Sequence, residues 1–246
     1  MTTRQAAPGR PGDDEGVVFL HPIGLDRRVW SAVAGPGATV LDFPGHGEAP
    51  PAAMVSMAAL ADHVLGQIQP PVTLVGLSLG GMVAQQVAVR EPGAVASLVV
   101  ACSTSASHPA TMAERAAAVR RGGMTAILET TLERWFTPAA LATAGQAGVK
   151  YARQRLLADD PELFARYWEA MAEHDVTAQL PGIAVPTTFI AGAADRASSL
   201  ETLRRMADAV PGAELAVVDG PHMLPLEQPT EFRAVLDRHL RRVPGH

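Results

Sequence analysis

Ser78 lies within residues 74–83, which read Leu-Val-Gly-Leu-Ser-Leu-Gly-Gly-Met-Val. An apolar run precedes the serine, Gly76 and Gly80 flank it, and a helix-forming run follows at residues 82–90. This order predicts a strand, a tight turn and a helix, with the serine at the turn. Such a turn exposes the hydroxyl and points the N–H of the next residue to the same place, so the sequence favours Ser78 as a nucleophile that attacks a carbonyl carbon.

A serine nucleophile needs a base and a group that orients the base. His222 follows an apolar run at residues 215–218, and Asp195 follows one at residues 187–191. Each side chain therefore comes at the carboxyl end of a predicted strand, in the order serine, acid, histidine. The alternative roles for these two residue types are a helix cap for Asp195 and a turn for His222.

The third feature is a loop that could stabilise negative charge. The first apolar strand leads into His21-Pro22-Ile23-Gly24. We expect the N–H of Ile23 and the N–H of Leu79 to form an oxyanion hole, because proline at position 22 removes only its own donor. His21 is expected to support this loop.

Short apolar runs alternate with helical periods, which is typical of a parallel sheet with crossover helices. We predict strands at residues 17–20, 39–42, 72–75, 98–102, 187–191 and 215–218, and helices at residues 57–68, 79–90, 200–209 and 230–240. Between residues 106 and 180 only helical stretches occur, at residues 110–121, 124–135, 139–157 and 161–174. The predicted organisation is a flexible N-terminus (1–16), an α/β core (17–105 and 181–246) and a helical cap (106–180).

Composition and charge exclude several classes of protein. The chain of 246 residues carries a net charge of −5 and has no basic stripe for nucleic acid. No apolar run is long enough to span a membrane, and the polar first residues do not resemble a secretory signal, so we expect a cytoplasmic monomer or homodimer. The single cysteine, Cys102, is expected to be a small buried residue. Neither a zinc-ligand spacing nor a dinucleotide motif occurs, so we expect no metal and no cofactor.

The motifs around Ser78, Asp195 and His222 resemble those of the α/β-hydrolase superfamily over nearly the whole chain. Within it, the cap is similar to that of the 3-oxoadipate enol-lactonase family. The similar runs are Arg-Ala-Ala-Ala-Val-Arg-Arg-Gly-Gly-Met at 115–124, Leu-Glu-Arg-Trp-Phe-Thr-Pro at 132–138, Ile-Ala-Gly-Ala-Ala-Asp at 190–195 and Glu-Gln-Pro at 227–229. The resemblance implies an α/β-hydrolase fold with about six mostly parallel strands. It also implies hydrolysis of a small lactone or ester, most closely an enol-lactone of the 3-oxoadipate type.

A substrate of this kind carries a carboxylate, and the resemblance therefore implies a cation in the pocket. Arg134 is the first candidate, with Arg120, Arg121 and Arg196 as alternatives, and Trp135 is expected to face the substrate from the end of a cap helix. The family usually has a proline soon after the acid, whereas this chain has Arg-Ala-Ser-Ser at 196–199. Other functions known for the superfamily stay open, namely C–C bond hydrolysis, perhydrolysis and a biosynthetic lactonase or cyclase. A non-catalytic binding protein is a further alternative.

Overall fold

A computed structural model describes residues 13–243. Its centre is one sheet of six parallel strands in the order β2-β1-β3-β4-β5-β6. The strands are β1 (Val17–Leu20), β2 (Thr39–Leu41), β3 (Val72–Leu77), β4 (Val95–Ala101), β5 (Thr187–Gly192) and β6 (Glu214–Val218). The fold is the predicted α/β-hydrolase fold, with all six strands parallel rather than most of them.

Nine α-helices connect or cover these strands within the described residues. They are α1 (Met57–Leu65), α2 (Leu79–Arg90), α3 (Pro109–Trp135), α4 (Pro138–Ala142), α5 (Ala147–Ala158), α6 (Pro161–Ala172), α7 (Leu200–Ala209), α8 (Leu224–Glu227) and α9 (Pro229–Leu240). None of the described helices has both the length and the apolar character needed to cross a lipid bilayer.

The inner strands form because their residues are apolar on both faces. Every residue of β1, β3 and β5 is buried, which is typical of a parallel sheet covered by helices on both sides. β6 is an edge strand and leaves Val217 half exposed. The consequence for the site is that the carboxyl ends of β1, β3, β4 and β5 lie side by side, where the loops that carry chemistry begin.

Four helices, α3 to α6, fill the interval between β4 and β5, where the sequence predicted a helical cap. The two helices predicted at residues 110–121 and 124–135 form α3, which breaks at Gly123 (φ 68°, ψ −174°). The single helix predicted at residues 139–157 is wrong, because the chain leaves the helical conformation at Thr143 and reaches positive φ at Gly145, which separates α4 from α5.

The predicted flexible segment, residues 1–16, lies mostly outside the described residues. At its end, however, Asp14 is buried, accepts a hydrogen bond from the N–H of Gly35 (2.6 Å) and pairs with Arg233 (2.6 Å). A buried carboxylate with two partners holds residue 14 against the core next to β1. The flexibility of residues 1–16 stays a prediction.

Candidate active site

Ser78 occupies the tight turn between β3 and α2. Its φ of 54° and ψ of −114° lie outside the regions that residues with a Cβ normally adopt. The turn needs its glycines, since a Cβ at Gly76 would lie 2.3 Å from the carbonyl oxygen of Gly80 and one at Gly80 would lie 2.1 Å from that of Leu20. The Ser78 N–H donates to the carbonyl of Ala101 (2.9 Å), which fixes the turn to the end of β4. The sequence therefore places a serine at the apex of a strained strand–turn–helix.

Asp195 and His222 form a buried pair beside this turn. The Nδ1 of His222 lies 2.9 Å from the Oδ2 of Asp195, and their side chains are 3% and 0% exposed. The other carboxylate oxygen accepts hydrogen bonds from the N–H groups of Ala197 (2.7 Å) and Ser198 (2.9 Å). Burial alone would raise the pKa of Asp195, but His222 and these two donors hold it below its usual value. Asp195 is thus an ionised acceptor that orients the imidazole.

A single cavity of about 380 Å³ brings most of the predicted residues together. Among the predicted residues, its walls include Ser78, Asp195 and His222, as well as Ile23, Arg134, Trp135 and Arg196. Trp135 is buried at the carboxyl end of α3 and lines the cavity. Leu79 is the first residue of α2 and its side chain is buried, so its backbone N–H is the group of interest.

The loop after β1 is held by two buried histidines. The N–H of Phe43 donates to Nε2 of His21 (2.9 Å), so its Nδ1 carries the proton and donates to the carbonyl of Pro22 (2.7 Å). The N–H of Gly24 donates to Nε2 of His46 (3.3 Å). Burial lowers the pKa of His21 to about 4, so it supports the loop as a neutral ring. Within residues 13–243, the N–H groups of Ile23 and Leu79 have no acceptor of their own and are free to bind a ligand.

Two arginines reach the cavity from α3. Arg134 is the predicted one; Arg115, which the sequence reasoning did not single out, also lines it and stacks on Trp168, with Cζ 4.7 Å from the ring centroid. Burial, with the nearby charge of Arg115, lowers the pKa of Arg134 to about 10, and burial also lowers that of Arg115. Among the described residues, neither guanidinium has a carboxylate partner. In the sequence, Arg115 belongs to the family-like run at 115–124, whose Gly122-Gly123 pair includes the break in α3 at Gly123. Residues on both sides of this break line the cavity.

The other predicted arginines differ in position. Arg120 is wrong as a candidate, because it lies on the exposed face of α3 and pairs with Glu162 and Glu169 of α6. Arg121 is also exposed and does not line the cavity. Arg196 lies in the cavity wall next to Asp195.

A second serine–histidine pair lies in the core, away from the cavity. The Nε2 of His239 is 3.0 Å from the Oγ of Ser97, and its Nδ1 is 2.8 Å from the Oγ1 of Thr188. Ser97 also lies 2.8 Å from Thr73, and all four side chains are buried. These residues lie near the amino ends of β3, β4 and β5, whereas the cavity opens at the carboxyl ends. The pair is therefore a buried polar network that joins α9 to the sheet.

The helical insertion α3–α6 and the loop of His222 are joined directly by hydrogen bonds. Glu227 of α8 accepts hydrogen bonds from the N–H (2.8 Å) and the hydroxyl (2.7 Å) of Thr137. The N–H of Met223, the residue after His222, donates to the carbonyl of Trp135 (3.1 Å). The wall of the cavity and the base are thus tied to each other by three hydrogen bonds. Sequence reasoning noticed Glu227 only as part of a family motif.

Three possible metal ligands lie close together among the described residues, namely Cys102, Asp195 and His222, whose donor atoms are within 4.8 Å of one another. The Nδ1 of His222 already donates a hydrogen bond to Asp195, and both side chains are buried. We therefore interpret the group as a hydrogen-bonded cluster.

Comparison with known proteins agrees with this geometry. The chain is 32% identical over 186 residues to 3-oxoadipate enol-lactonase 2 of Acinetobacter baylyi, covering 75% of this chain and 68% of the relative. It is 32% identical over 241 residues to a pimeloyl-[acyl-carrier protein] methyl ester esterase of Aromatoleum aromaticum, covering 89% and 95%. The crystal structure of the enol-lactonase from Burkholderia xenovorans LB400 superimposes with a TM-score of 0.87 at 25% identity, covering 95% and 94%. A family model described as the alpha/beta hydrolase family matches residues 17–235, and the chain belongs to that family.

Proposed function

We propose that this protein hydrolyses a small carboxylic lactone or ester through an acyl-enzyme formed on Ser78. Its general class, a hydrolase of the esterase or lactonase type, is shared with the relatives named above. The observation that carries the proposal is the 2.9 Å hydrogen bond between His222 and Asp195 in the wall of the cavity that also contains Ser78.

The proposed first step joins Ser78 to the substrate. His222, neutral and held by Asp195 in the tautomer with its proton on Nδ1, accepts the hydroxyl proton on Nε2 while the serine oxygen attacks the carbonyl carbon. The carbonyl oxygen becomes an oxyanion, which the N–H groups of Ile23 and Leu79 would bind. When the intermediate collapses, the ester C–O bond breaks and the proton passes from His222 to the leaving oxygen. In a lactone, the leaving group stays attached to the acyl part.

The second step releases the acid. His222 accepts a proton from a water molecule, which attacks the acyl-enzyme, and the serine oxygen leaves with the proton returned by His222. Asp195 stays ionised in both steps and stabilises the imidazolium. The low pKa of Asp195 supports this role.

We propose an enol-lactone of the 3-oxoadipate type as the substrate. The similarity to two enol-lactonases supports it, as do the guanidinium groups of Arg134 and Arg115, which line the cavity without a carboxylate partner. A half-buried cation of this kind is stabilised by an anionic ligand. Trp135 would cover the apolar face of the lactone. We further propose that residues 106–180 act as a cap over a core formed by residues 17–105 and 181–246.

The experiment is to follow the loss of ultraviolet absorbance of 3-oxoadipate enol-lactone with wild type and Ser78→Ala, beside a neutral methyl ester of similar size. We expect the wild type to turn over the lactone with kcat/KM above about 10⁴ M⁻¹s⁻¹, and the alanine variant to lose this activity. Preference for the neutral ester would contradict the enol-lactone as substrate but would still be consistent with a hydrolase. Equal turnover by Ser78→Ala would show that Ser78 is not the nucleophile.

A further inference from the structure

The turn that follows β4 contacts both the nucleophile and the loop of the acid. Two of its residues hold Ser78, because the carbonyl of Ala101 accepts the Ser78 N–H (2.9 Å) and the hydroxyl of Ser103 donates to the Ser78 carbonyl (2.7 Å). Between them, the carbonyl of Cys102 accepts a hydrogen bond from the hydroxyl of Ser198 (3.0 Å), which follows Asp195. The three consecutive residues therefore fix the serine turn and the acid loop relative to each other.

Cys102 holds an unfavourable backbone conformation at the centre of this turn. Its φ is 45°, and Ser78 is the only other residue with a side chain and a positive φ among residues 13–243. Glycine would adopt this conformation without strain, whereas a residue with a Cβ is destabilised. We therefore expect the Cys102 side chain to make a stabilising contact that glycine could not make.

The Cys102 side chain makes that contact with the candidate acid. It is 0% exposed, and its Sγ lies within 4.8 Å of the carboxylate of Asp195 and of a ring nitrogen of His222. Burial, first, and the neighbouring carboxylate raise the pKa of the thiol well above its usual value, so the group keeps its proton. A protonated thiol beside a carboxylate is able to act as a weak hydrogen-bond donor. The cysteine is thus a neutral donor next to the ionised acid.

Three hydrogen-bond donors surround the two oxygens of Asp195, namely the Nδ1 of His222 and the N–H groups of Ala197 and Ser198. A carboxylate offers about four lone-pair sites, so one site is left for the neighbouring thiol. We propose that Cys102 is a positioning residue for the catalytic acid, whose thiol takes up part of the charge of Asp195 and so limits how strongly that carboxylate stabilises the protonated His222.

The direction of the effect follows from the charge of the acid. Removing the thiol donor leaves more negative charge facing His222, which favours the imidazolium over the neutral ring. The enzyme needs the neutral ring, so removal should move the acid limb of the activity profile to higher pH. The other charged or titratable side chains in the cavity wall, Arg115, Arg134, Arg196 and His108, stay unchanged in this comparison.

The inference rests on the proposed function, and two measurements separate their failures. The first is the rate at which a fluorophosphonate modifies Ser78 between pH 5 and 9, which needs an activated serine but no knowledge of the substrate. The second is the pH titration of His222 by NMR in protein labelled with ¹⁵N-histidine, which needs no activity. Both are made on the wild type, Cys102→Ala, Cys102→Gly and Cys102→Ser.

We expect the alanine and glycine variants to move the midpoint upward by about half a pH unit in both measurements. Cys102→Ser keeps a donor on the same Cβ and should keep the wild-type midpoint or lower it. Cys102→Gly fits a φ of 45°, so it should fold at least as well as Cys102→Ala. Val100→Ala, at a buried position of β4, is the control and should lower the melting temperature without moving the midpoint.

An unchanged midpoint in both the alanine and glycine variants would overturn the inference, and so would an equal upward shift in Cys102→Ser. A wild type that the fluorophosphonate does not modify would contradict the proposed function instead. The NMR titration would still decide the role of Cys102 in that case.

Discussion

Asp195, whose side chain is buried, and Arg134, which is half-buried, differ in how their charge is compensated at the cavity. Asp195 has donors on both oxygens and a pKa below its usual value, so its ionised form is the stable one. Arg134 lines the same cavity, and burial together with Arg115 lowers its pKa to about 10. Asp195 therefore has its hydrogen-bond partners in the free protein, whereas the charge of Arg134 has no carboxylate partner among the described residues, and we propose that an anionic ligand supplies one.

For the acid, we expect Asp195→Asn to lower kcat/KM by roughly 10³ to 10⁴ while the protein stays folded. The amide keeps the shape but no longer selects the tautomer with the proton on Nδ1 or stabilises the imidazolium. Kinetics and circular dichroism of the purified variant test this. A loss of less than about tenfold would contradict the assignment of Asp195, and Asp219→Asn, in the same region as His222, serves as control.

For the arginine, we expect opposite effects on stability and on binding. A pKa lowered from its ordinary value means that the protonated form costs free energy in the folded protein at every pH below about 10. Arg134→Met should therefore leave the free energy of unfolding unchanged or raise it, by an amount on the order of 1 kcal/mol after solvent screening, as measured by urea unfolding. The same variant should raise KM for an anionic lactone at least tenfold more than for a neutral ester.

Arg121→Met, an exposed arginine on the same helix, is the matched control and should change neither quantity. An equal rise of KM for both substrates would show that Arg134 does not bind the carboxylate.

Among the secondary-structure elements, α8 and the loop before it connect the helical insertion to the loop of His222. Glu227 holds Thr137 at the start of α4, and the N–H of Met223 holds the carbonyl of Trp135 at the end of α3. These hydrogen bonds therefore link the wall of the cavity to the loop of His222.

We expect Glu227→Ala to release this contact and to lower kcat/KM about tenfold, because a displacement of the wall by a fraction of an ångström impairs the orientation of the substrate. The loss should be larger for the lactone than for the rate of fluorophosphonate modification, which does not depend on Trp135. Glu231→Ala, on the exposed face of α9, should leave both rates unchanged. Equal loss in both assays would place the effect on the base itself.

The serine turn gives a further test at this scale. A Cβ at Gly80 would meet the carbonyl oxygen of Leu20 at 2.1 Å, which is backbone and cannot move without shifting β1. We expect Gly80→Ala to destabilise the fold by several kcal/mol, measured by urea unfolding. A variant with wild-type stability would contradict the packing of α2 against β1.

At the scale of the whole molecule, a buried ionic chain connects the cap to the core. Arg155 of α5 pairs with Asp26, which follows β1, at 3.0 Å and with Asp159 at 2.7 Å. Burial raises the pKa of Asp159 to about 7, while Arg28 and Tyr151 help to lower that of Asp26 to about 2 despite its burial. Ionisation of Asp159 therefore lowers the stability of the folded protein, whereas ionisation of Asp26 raises it.

The sign for Asp159 follows from linkage. Its pKa is higher in the folded than in the unfolded chain, so the folded protein loses stability as the pH rises from about 4, where the unfolded chain ionises, to about 7, and the loss levels off above that. We expect Asp159→Asn to remove a loss of stability on the order of 1 to 2 kcal/mol between pH 5 and pH 8. Urea unfolding at both pH values measures it, with the exposed Asp208→Asn as control. The same slope in wild type and Asp159→Asn would contradict the burial of this charge.

The sequence predicted those features that depend on local order. Ser78, Asp195 and His222 each follow an apolar strand, and parallel strands end at the same edge of a sheet, so their convergence could be expected. β1, α2 and α7 begin and end at the predicted residues. The separation of α4 from α5 was missed because Ala-rich residues continue the helical pattern up to Gly145.

Features that depend on contacts between distant segments could not be predicted. Arg115 faces the cavity and Arg120 does not, although both belong to one helical run; the packing of α3 against α6 decides this. The contact of the Cys102 thiol with Asp195 joins residues 93 positions apart, and the sequence indicated only a buried cysteine.

We propose that Ser78, and not the buried Ser97 beside His239, is the activated serine. The measurement is to treat wild type, Ser78→Ala and Ser97→Ala with a fluorophosphonate and to locate the adduct by intact mass and peptide mapping. We predict one adduct, on Ser78, in wild type and Ser97→Ala, and none in Ser78→Ala. An adduct on another serine, or a folded wild type that forms none, would contradict the account.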